Sequence, residues 1–242
     1  MSGKGWARVI GLLSAVPEEG RHLIIHLKAK FAIAGKTLYR GRRCGKEIIY
    51  IISGIGKANA AHAATLLLER FSPALVILFG IGGAYPAAGL AVGDIAVAKK
   101  EVYADEGVLV NGGFLGTDHI GIPLLRKGRK EFFNEFLLDR RLCAKAAKSA
   151  EHVANARAGT FVTVSTCTGT RARARELYRK FGALCENMEG ASVAQICMTY
   201  GIPMAEIRGI SNIVERRDKR RWDIGLATEK CQKAVTELLK AL

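Results

Sequence analysis

The sequence predicts a single α/β domain built around a largely buried β-sheet, and three observations carry that expectation. Short apolar runs recur along the chain, amphipathic segments of 3.6-residue period stand between several of them, and no Pro- or Ser-rich linker or internal repeat interrupts the alternation. The chain has 242 residues, 49% of them hydrophobic and 24% charged. At that length a single domain buries about 70–75% of its unfolded surface without disulfides or a structural metal.

The predicted strands lie at 8–13, 48–53, 74–79, 94–98, 160–165 and 204–210, each bounded by Gly, Ser, Asp or Asn. Residues 57–71 place Ala60, Ala64, Leu67, Leu68 and Phe71 on one helical face. Residues 190–200 do the same with Ala191, Ala194, Cys197 and Met198, and stop at Gly201 with Pro203 just beyond. The final segment, 223–242, repeats Ala227, Cys231, Ala234, Val235, Leu238 and Leu242 as a closing amphipathic helix.

Residues 73–93 carry no charged side chain and have the length of a membrane span. Gly80, Gly82, Gly83, Gly89 and Pro86 break that span, so a buried strand at 74–79 followed by a glycine-rich loop is the better reading. Residues 1–8 lack the apolar stretch of a secretion signal, and the six cysteines form no C-x-x-C. A cytoplasmic chain with reduced thiols is expected.

Thirty-seven Lys and Arg against 22 Asp and Glu leave a formal charge of +15, which favours an anionic partner. The clusters at 40–43, 171–175 and 216–221 are not interleaved with aromatic residues, so a nucleic-acid partner is not expected. Gly35-Lys36-Thr37 lacks the upstream glycine of a phosphate-cradling loop, since Lys30 stands there, and residues 54–59 lack the third glycine of a dinucleotide fingerprint. His22 and His26 have helical spacing but no Glu after His22 and no third ligand, so they read as helix surface or core. No metal and no organic cofactor is expected.

Four segments place polar or backbone groups where strands end, the usual location of ligands in such sheets. After the first strand, Pro17 suits a first helical position and sets Glu18 and Glu19 in the opening turn, where carboxylates also complement the helix dipole. Gly80 to Gly83 allow a flat ligand, or a tight turn, close to the backbone. Glu189, in Glu186-Asn187-Met188-Glu189-Gly190, can accept hydrogen bonds from sugar hydroxyls or cap the next helix. Asn212 ends the last strand and can both donate and accept across a base edge, or serve as a turn residue.

In this order the segments resemble the nucleoside phosphorylase and nucleosidase family: Ser53-Gly54-Ile55-Gly56-Lys57, Gly80 to Gly83 with Val92-Gly93-Asp94, Met188-Glu189-Gly190-Ala191 and Arg208-Gly209-Ile210-Ser211-Asn212. The resemblance covers nearly the whole chain. Within the family it is nearest to the futalosine hydrolases, through Gly83-Ala84-Tyr85-Pro86, Glu101 to Asp105, Phe161 to Thr170 and Ile210 to Glu215 with Trp222-Asp223-Ile224. It implies a three-layer fold, a central mixed β-sheet flanked by helices, and hydrolysis of the N-glycosidic bond of futalosine in menaquinone biosynthesis, releasing hypoxanthine. Methylthioadenosine/adenosylhomocysteine nucleosidase, aminodeoxyfutalosine nucleosidase and purine nucleoside phosphorylase are the alternatives.

Carried over by matching position, the resemblance implies Glu19 as the water-activating carboxylate and Asn212 as the second catalytic residue, facing the purine. It implies Met188 and Glu189 at the ribose, Gly82 and Gly83 along the base and ribose cleft, and purine-edge backbone contacts at Cys167 and Thr168. Where many relatives have Asp, Asn212 cannot deliver a proton; its amide can donate to the O6 of a 6-oxopurine, and Asp218 or Asp223 would be the substitute acids. The partner is a small-molecule nucleoside, its carboxylate answered by one of Arg216 to Arg221, with no membrane. Relatives often form dimers, so a homodimer or higher homo-oligomer is expected, and the apolar stretch 108–122 suits such a contact.

Overall fold

The computed structural model describes residues 9–242. Arg8, where the first strand was expected to start, and the 1–8 segment lie outside the described residues. In chain order the strands are β1 (Ile10–Ser14), β2 (Ala29–Ile33), β3 (Lys36–Arg43), β4 (Lys46–Ile52), β5 (Leu75–Ala84), β6 (Ile95–Tyr103), β7 (Gly107–Val110), β8 (Gly113–Gly116), β9 (Leu125–Lys127), β10 (Lys130–Phe132), β11 (Glu135–Leu137), β12 (Ala156–Thr163), β13 (Cys185–Asn187) and β14 (Met204–Ile213). The α-helices are α1 (Arg21–Ile24), α2 (Lys57–Phe71), α3 (Arg140–Glu151), α4 (Arg171–Phe181), α5 (Gly190–Tyr200) and α6 (Ile224–Ala241).

Ten strands form one mixed sheet, and the two hairpins β7–β8 and β9–β10 stand apart from it. From β2 the order runs through β3, β4 and β1 to β5. There the sheet curls on itself, because β14 pairs with both β5 and β6, and β12 and β13 complete the ring back to β5. Helices cover both faces: α2 and α5 bury Ala64, Leu67, Ala191 and Cys197 on one side, α3 and α6 bury Leu142, Ala146, Val235 and Leu238 on the other. This is the three-layer arrangement with a central mixed sheet that the sequence and its resemblance imply.

The expected helices at 57–71 and 190–200 are observed with those bounds. The closing helix begins one residue later than expected because Asp223 caps it, its carboxylate accepting from Leu226 N–H at 2.8 Å. The glycine-rich loop expected after residue 79 is instead the second half of β5, which corrects the expectation. The glycines are needed by neighbours rather than by a turn: a methyl on Gly82 would overlap Cys185 Sγ of β13, and one on Gly83 would meet Val214 at 2.7 Å. Strand pairing there is dense, since β5 leaves β1 after Leu78, takes β13 at Gly83 and Ala84, and keeps β14 throughout. Among the described residues no helix is long and apolar enough to cross a membrane.

His22 lies in the single turn of α1 and His26 beyond it, both exposed, and no group of three metal-binding side chains occurs among the described residues. The Arg-rich 171–175 segment opens α4. The apolar 108–122 stretch forms most of the β7–β8 hairpin and the 3-10 turn Thr117–His119 after it, and leaves Leu109 80% and Ile122 68% exposed.

Candidate active site

At the end of β1 the chain turns through Pro17, which opens a short 3-10 helix, Pro17–Gly20. This turn exposes Glu18 and buries Glu19 against β5. Glu19 Oε2 accepts from the backbone N–H groups of Ala15 (2.9 Å) and Val16 (3.2 Å), and Oε1 from that of Ile81 (2.9 Å). The carboxylate lies over Gly80, where a methyl would overlap it. Burial raises its pKa above the ordinary carboxylate range, and the Arg208 charge only partly offsets that rise.

Arg208, on β14, is 1% exposed and holds the centre of the site. Its Nε donates to Glu206 Oε1 at 2.8 Å, Nη2 to Glu189 Oε2 at 3.3 Å and Nη1 to the Ile81 carbonyl at 3.2 Å. The other oxygen of Glu189 accepts from Gly56 N–H at 3.0 Å. Gly56 has φ +92°, a conformation open to glycine, and it precedes α2, so the amide that meets Glu189 is one left unpaired by a helix start. Arg208 and Gly56 belong to motifs quoted from the sequence, but their part in holding Glu189 is visible only in three dimensions.

All eight residues nominated from the sequence, Glu19, Gly82, Gly83, Cys167, Thr168, Met188, Glu189 and Asn212, line one cavity of about 270 Å³. Ser211 Oγ donates to Asn212 Oδ1 at 2.9 Å, which leaves the amide Nδ2 as the free donor of that side chain. The Thr168 N–H, expected at a purine edge, is committed to Glu186 at 2.8 Å, as is its hydroxyl at 2.6 Å, and Tyr85 OH holds the same carboxylate. Of the Thr168 backbone only the carbonyl is left for such a contact, which corrects the expectation for its amide. Cys167 Sγ lies 3.3 Å from Met188 Sδ, and burial raises its thiol pKa.

Within the basic run, Arg220 pairs with Asp218 at 2.8 Å and Arg221 with Glu215, while Arg217 alone of the arginines in 216–221 lines the cavity. Its guanidinium stacks 5.1 Å from the Trp222 ring centroid, and Trp222 lines the cavity too. Asp218 and Asp223 do not reach the cavity: the first is chelated by Arg220, which holds its carboxyl below the usual range, and the second caps α6. Sequence reasoning did not nominate Arg217 over its neighbours, since spacing alone does not say which arginine a loop turns inward.

A curled mixed sheet whose strand ends converge on buried carboxylates and a buried guanidinium places the chain among α/β enzymes that take a small polar ligand there. A family model described as the Phosphorylase superfamily matches residues 9–242, and the chain belongs to that superfamily. It is 34% identical over 201 residues to a futalosine hydrolase of Thermus thermophilus, covering 83% of this chain and 84% of the relative. It is 30% identical to a 5'-methylthioadenosine/S-adenosylhomocysteine nucleosidase of Oceanobacillus iheyensis, covering 90% and 92%. A solved nucleosidase of the latter name from Neisseria meningitidis, in complex with methylthio-immucillin-A, superposes with a TM-score of 0.84 over 97% of this chain and 100% of that one. At 24% identity that likeness is one of fold.

Proposed function

We propose that the enzyme hydrolyses the N-glycosidic bond of a purine nucleoside, and that its substrate is futalosine, cleaved to hypoxanthine and dehypoxanthinyl futalosine in menaquinone biosynthesis. The observation that carries the reading is the pair of buried carboxylates, Glu19 and Glu189, on one cavity with the Asn212 amide. Cleavage through a cation-like sugar needs a positioned water, hydrogen bonds to the ribose, and help for the departing base. Glu19, held by three backbone N–H groups and raised in pKa by burial, is the base that orients and deprotonates water. Glu189 grips a ribose hydroxyl beside Met188, and its negative charge favours the developing cation. Gly82 and Gly83 line the base and ribose cleft, with Cys167 and the Thr168 carbonyl at the purine.

Asn212 sets the choice of base in this reading. With Oδ1 turned to Ser211, its Nδ2 offers a hydrogen to the 6-oxo group of hypoxanthine, where an adenine would present another donor. Arg217, stacked on Trp222, suits the carboxylate of futalosine. The Thermus relative supports the same substrate. Methylthioadenosine or adenosylhomocysteine hydrolysis is the second reading, favoured by the Oceanobacillus relative at greater coverage. Nothing favours phosphorolysis at Arg171, the arginine after the Ser165–Thr170 run, which is 64% exposed and paired with Glu215. We further propose a homodimer through the exposed apolar 108–122 face.

The test is incubation of purified protein with futalosine, aminodeoxyfutalosine, methylthioadenosine and inosine in phosphate-free buffer, with the released base identified by chromatography. Hypoxanthine from futalosine alone is expected. Adenine from methylthioadenosine would transfer the chemistry to the second reading, and base release only after phosphate is added would refute hydrolysis. Glu19→Gln and Glu189→Gln are expected to fold and to lose turnover.

A further inference from the structure

Beneath the cavity two glutamates meet with no cation between them. Glu101 on β6 and Glu206 on β14 are both 0% exposed, brought together because β14 pairs antiparallel with β6 inside the ring. Both carboxyl groups converge on the α-carbon of Gly190, where any side chain would overlap them. Glu206 Oε1 receives Arg208 Nε, but Glu206 Oε2 is buried with no donor from a nitrogen or hydroxyl group. Glu101 accepts only from neutral donors: Asn187 Nδ2 at 2.6 Å and Thr163 Oγ1 at 2.7 Å.

Two adjacent carboxylates in a dry interior do not both ionise, and the cation decides which one keeps the charge. Arg208 lies on Glu206. We propose that Glu101 stands as a protonated acid donating its hydrogen to Glu206 Oε2, and that this acid–carboxylate pair positions Glu189 from two sides. On one side the Glu206 anion fixes Arg208, whose Nη2 holds Glu189 Oε2. On the other, Glu101 orients Asn187, whose Oδ1 accepts the backbone N–H groups of Glu189 (2.9 Å) and Gly190 (2.7 Å) at the start of α5. The direction of the proton agrees with burial and the neighbouring Glu206 charge, which together push Glu101 well above the ordinary carboxylate range. Glu101 and Glu206 are thus positioning residues that touch no substrate. The consequence for turnover rests on the proposed ribose-gripping role of Glu189, whereas the protonation does not.

Infrared spectra of wild type and Glu101→Gln at pH 7 and above test the proton directly. A carboxylic-acid carbonyl band present in wild type and missing from Glu101→Gln is expected; its absence from wild type overturns the assignment whatever the substrate proves to be. Kinetics test the positioning. Glu206→Gln removes the nearer of the two anions on Arg208, and kcat should fall about 100-fold with KM within about threefold, the scale of a roughly 1 Å misplacement. Glu101→Gln supplies an amide hydrogen to Glu206 in place of the acid, losing only the Asn187 contact, and should keep kcat within about tenfold. Equal losses, or the opposite ranking, would reject the arrangement. A wild-type protein that shows the acid band but cleaves no nucleoside would reject the nucleosidase reading and leave the proton pair standing.

Discussion

Arg208→Met is the most searching perturbation of the site, because one guanidinium serves two carboxylates and a carbonyl. Methionine fills most of the same volume with a flexible apolar chain, so the loss is chiefly electrostatic. Removing one partner of a buried ion pair costs about 3–5 kcal/mol, a large share of the roughly 5–15 kcal/mol that holds a typical domain folded. The deficit also has a sign in pH. Burial raises the pKa of Glu19 and of Glu206, and Arg208 is the largest influence pulling each back down. Without it both rise further above their unfolded values. A carboxyl raised on folding contributes stability that is full below its unfolded pKa, near 4.3, and is lost as pH climbs through the folded one. Urea denaturation of wild type and Arg208→Met should therefore show a difference that is small at pH 5 and grows toward pH 8. A deficit under about 1 kcal/mol at pH 8, or one equal at both pH values, would refute the claim that Arg208 neutralises these carboxylates.

Gly80→Ala places a methyl where the Glu19 carboxylate sits, and should lower kcat about 100-fold with KM little changed; wild-type turnover in steady-state assays would mean that Glu19 is not the base. Asn212→Asp exchanges an amide donor for an acceptor and should move the kcat/KM ratio at least roughly tenfold from the hypoxanthine-bearing toward the adenine-bearing nucleoside. An unchanged ratio would remove Asn212 from the base edge. Arg217→Gln should raise KM for a carboxylate-bearing nucleoside by roughly 2–10-fold, the worth of one exposed charge-assisted contact, while KM for inosine or methylthioadenosine stays put; a parallel rise for all three would make Arg217 a structural contact only.

Helices α2 and α5 are delimited by their own sequence because an apolar stripe, a helix start and a stop, Ser72-Pro73 after α2 and Gly201 with Pro203 after α5, are local features. The second half of β5 is not, since glycines 80, 82 and 83 look like a loop until Glu19, Cys185 and Val214 are found pressed against them. Helix α4 is similarly hidden: its arginines advertise charge, while only Ala174 and Leu177 face the interior. The eight residues that line the cavity were named through the ordered motifs of the family resemblance, several of which sit where strands end. What no motif contains is the pairing between them. Glu101 and Glu206 are separated by more than a hundred residues, and Gly56 meets Glu189 across a similar gap, so the linkage that orders the carboxylates exists only after β14 has closed the ring.

That closure bears on why so basic a chain builds an acidic site. The formal charge of +15 is spread over the surface, where arginines pair with Glu215, Asp218 and Glu176 or meet solvent. Inside, three carboxylates, Glu19, Glu189 and Glu206, share one guanidinium. A ribosyl group that gains positive charge on losing its base is stabilised by such an imbalance more in a dry cavity than in water. The imbalance has a ceiling, however: a fourth ionised carboxylate at Glu101 would add repulsion without touching the substrate. Holding that group protonated keeps the negative excess on Glu19 and Glu189 at the cavity, and for this reason the infrared test on Glu101 and the stability test on Arg208 probe one electrostatic arrangement from its two ends.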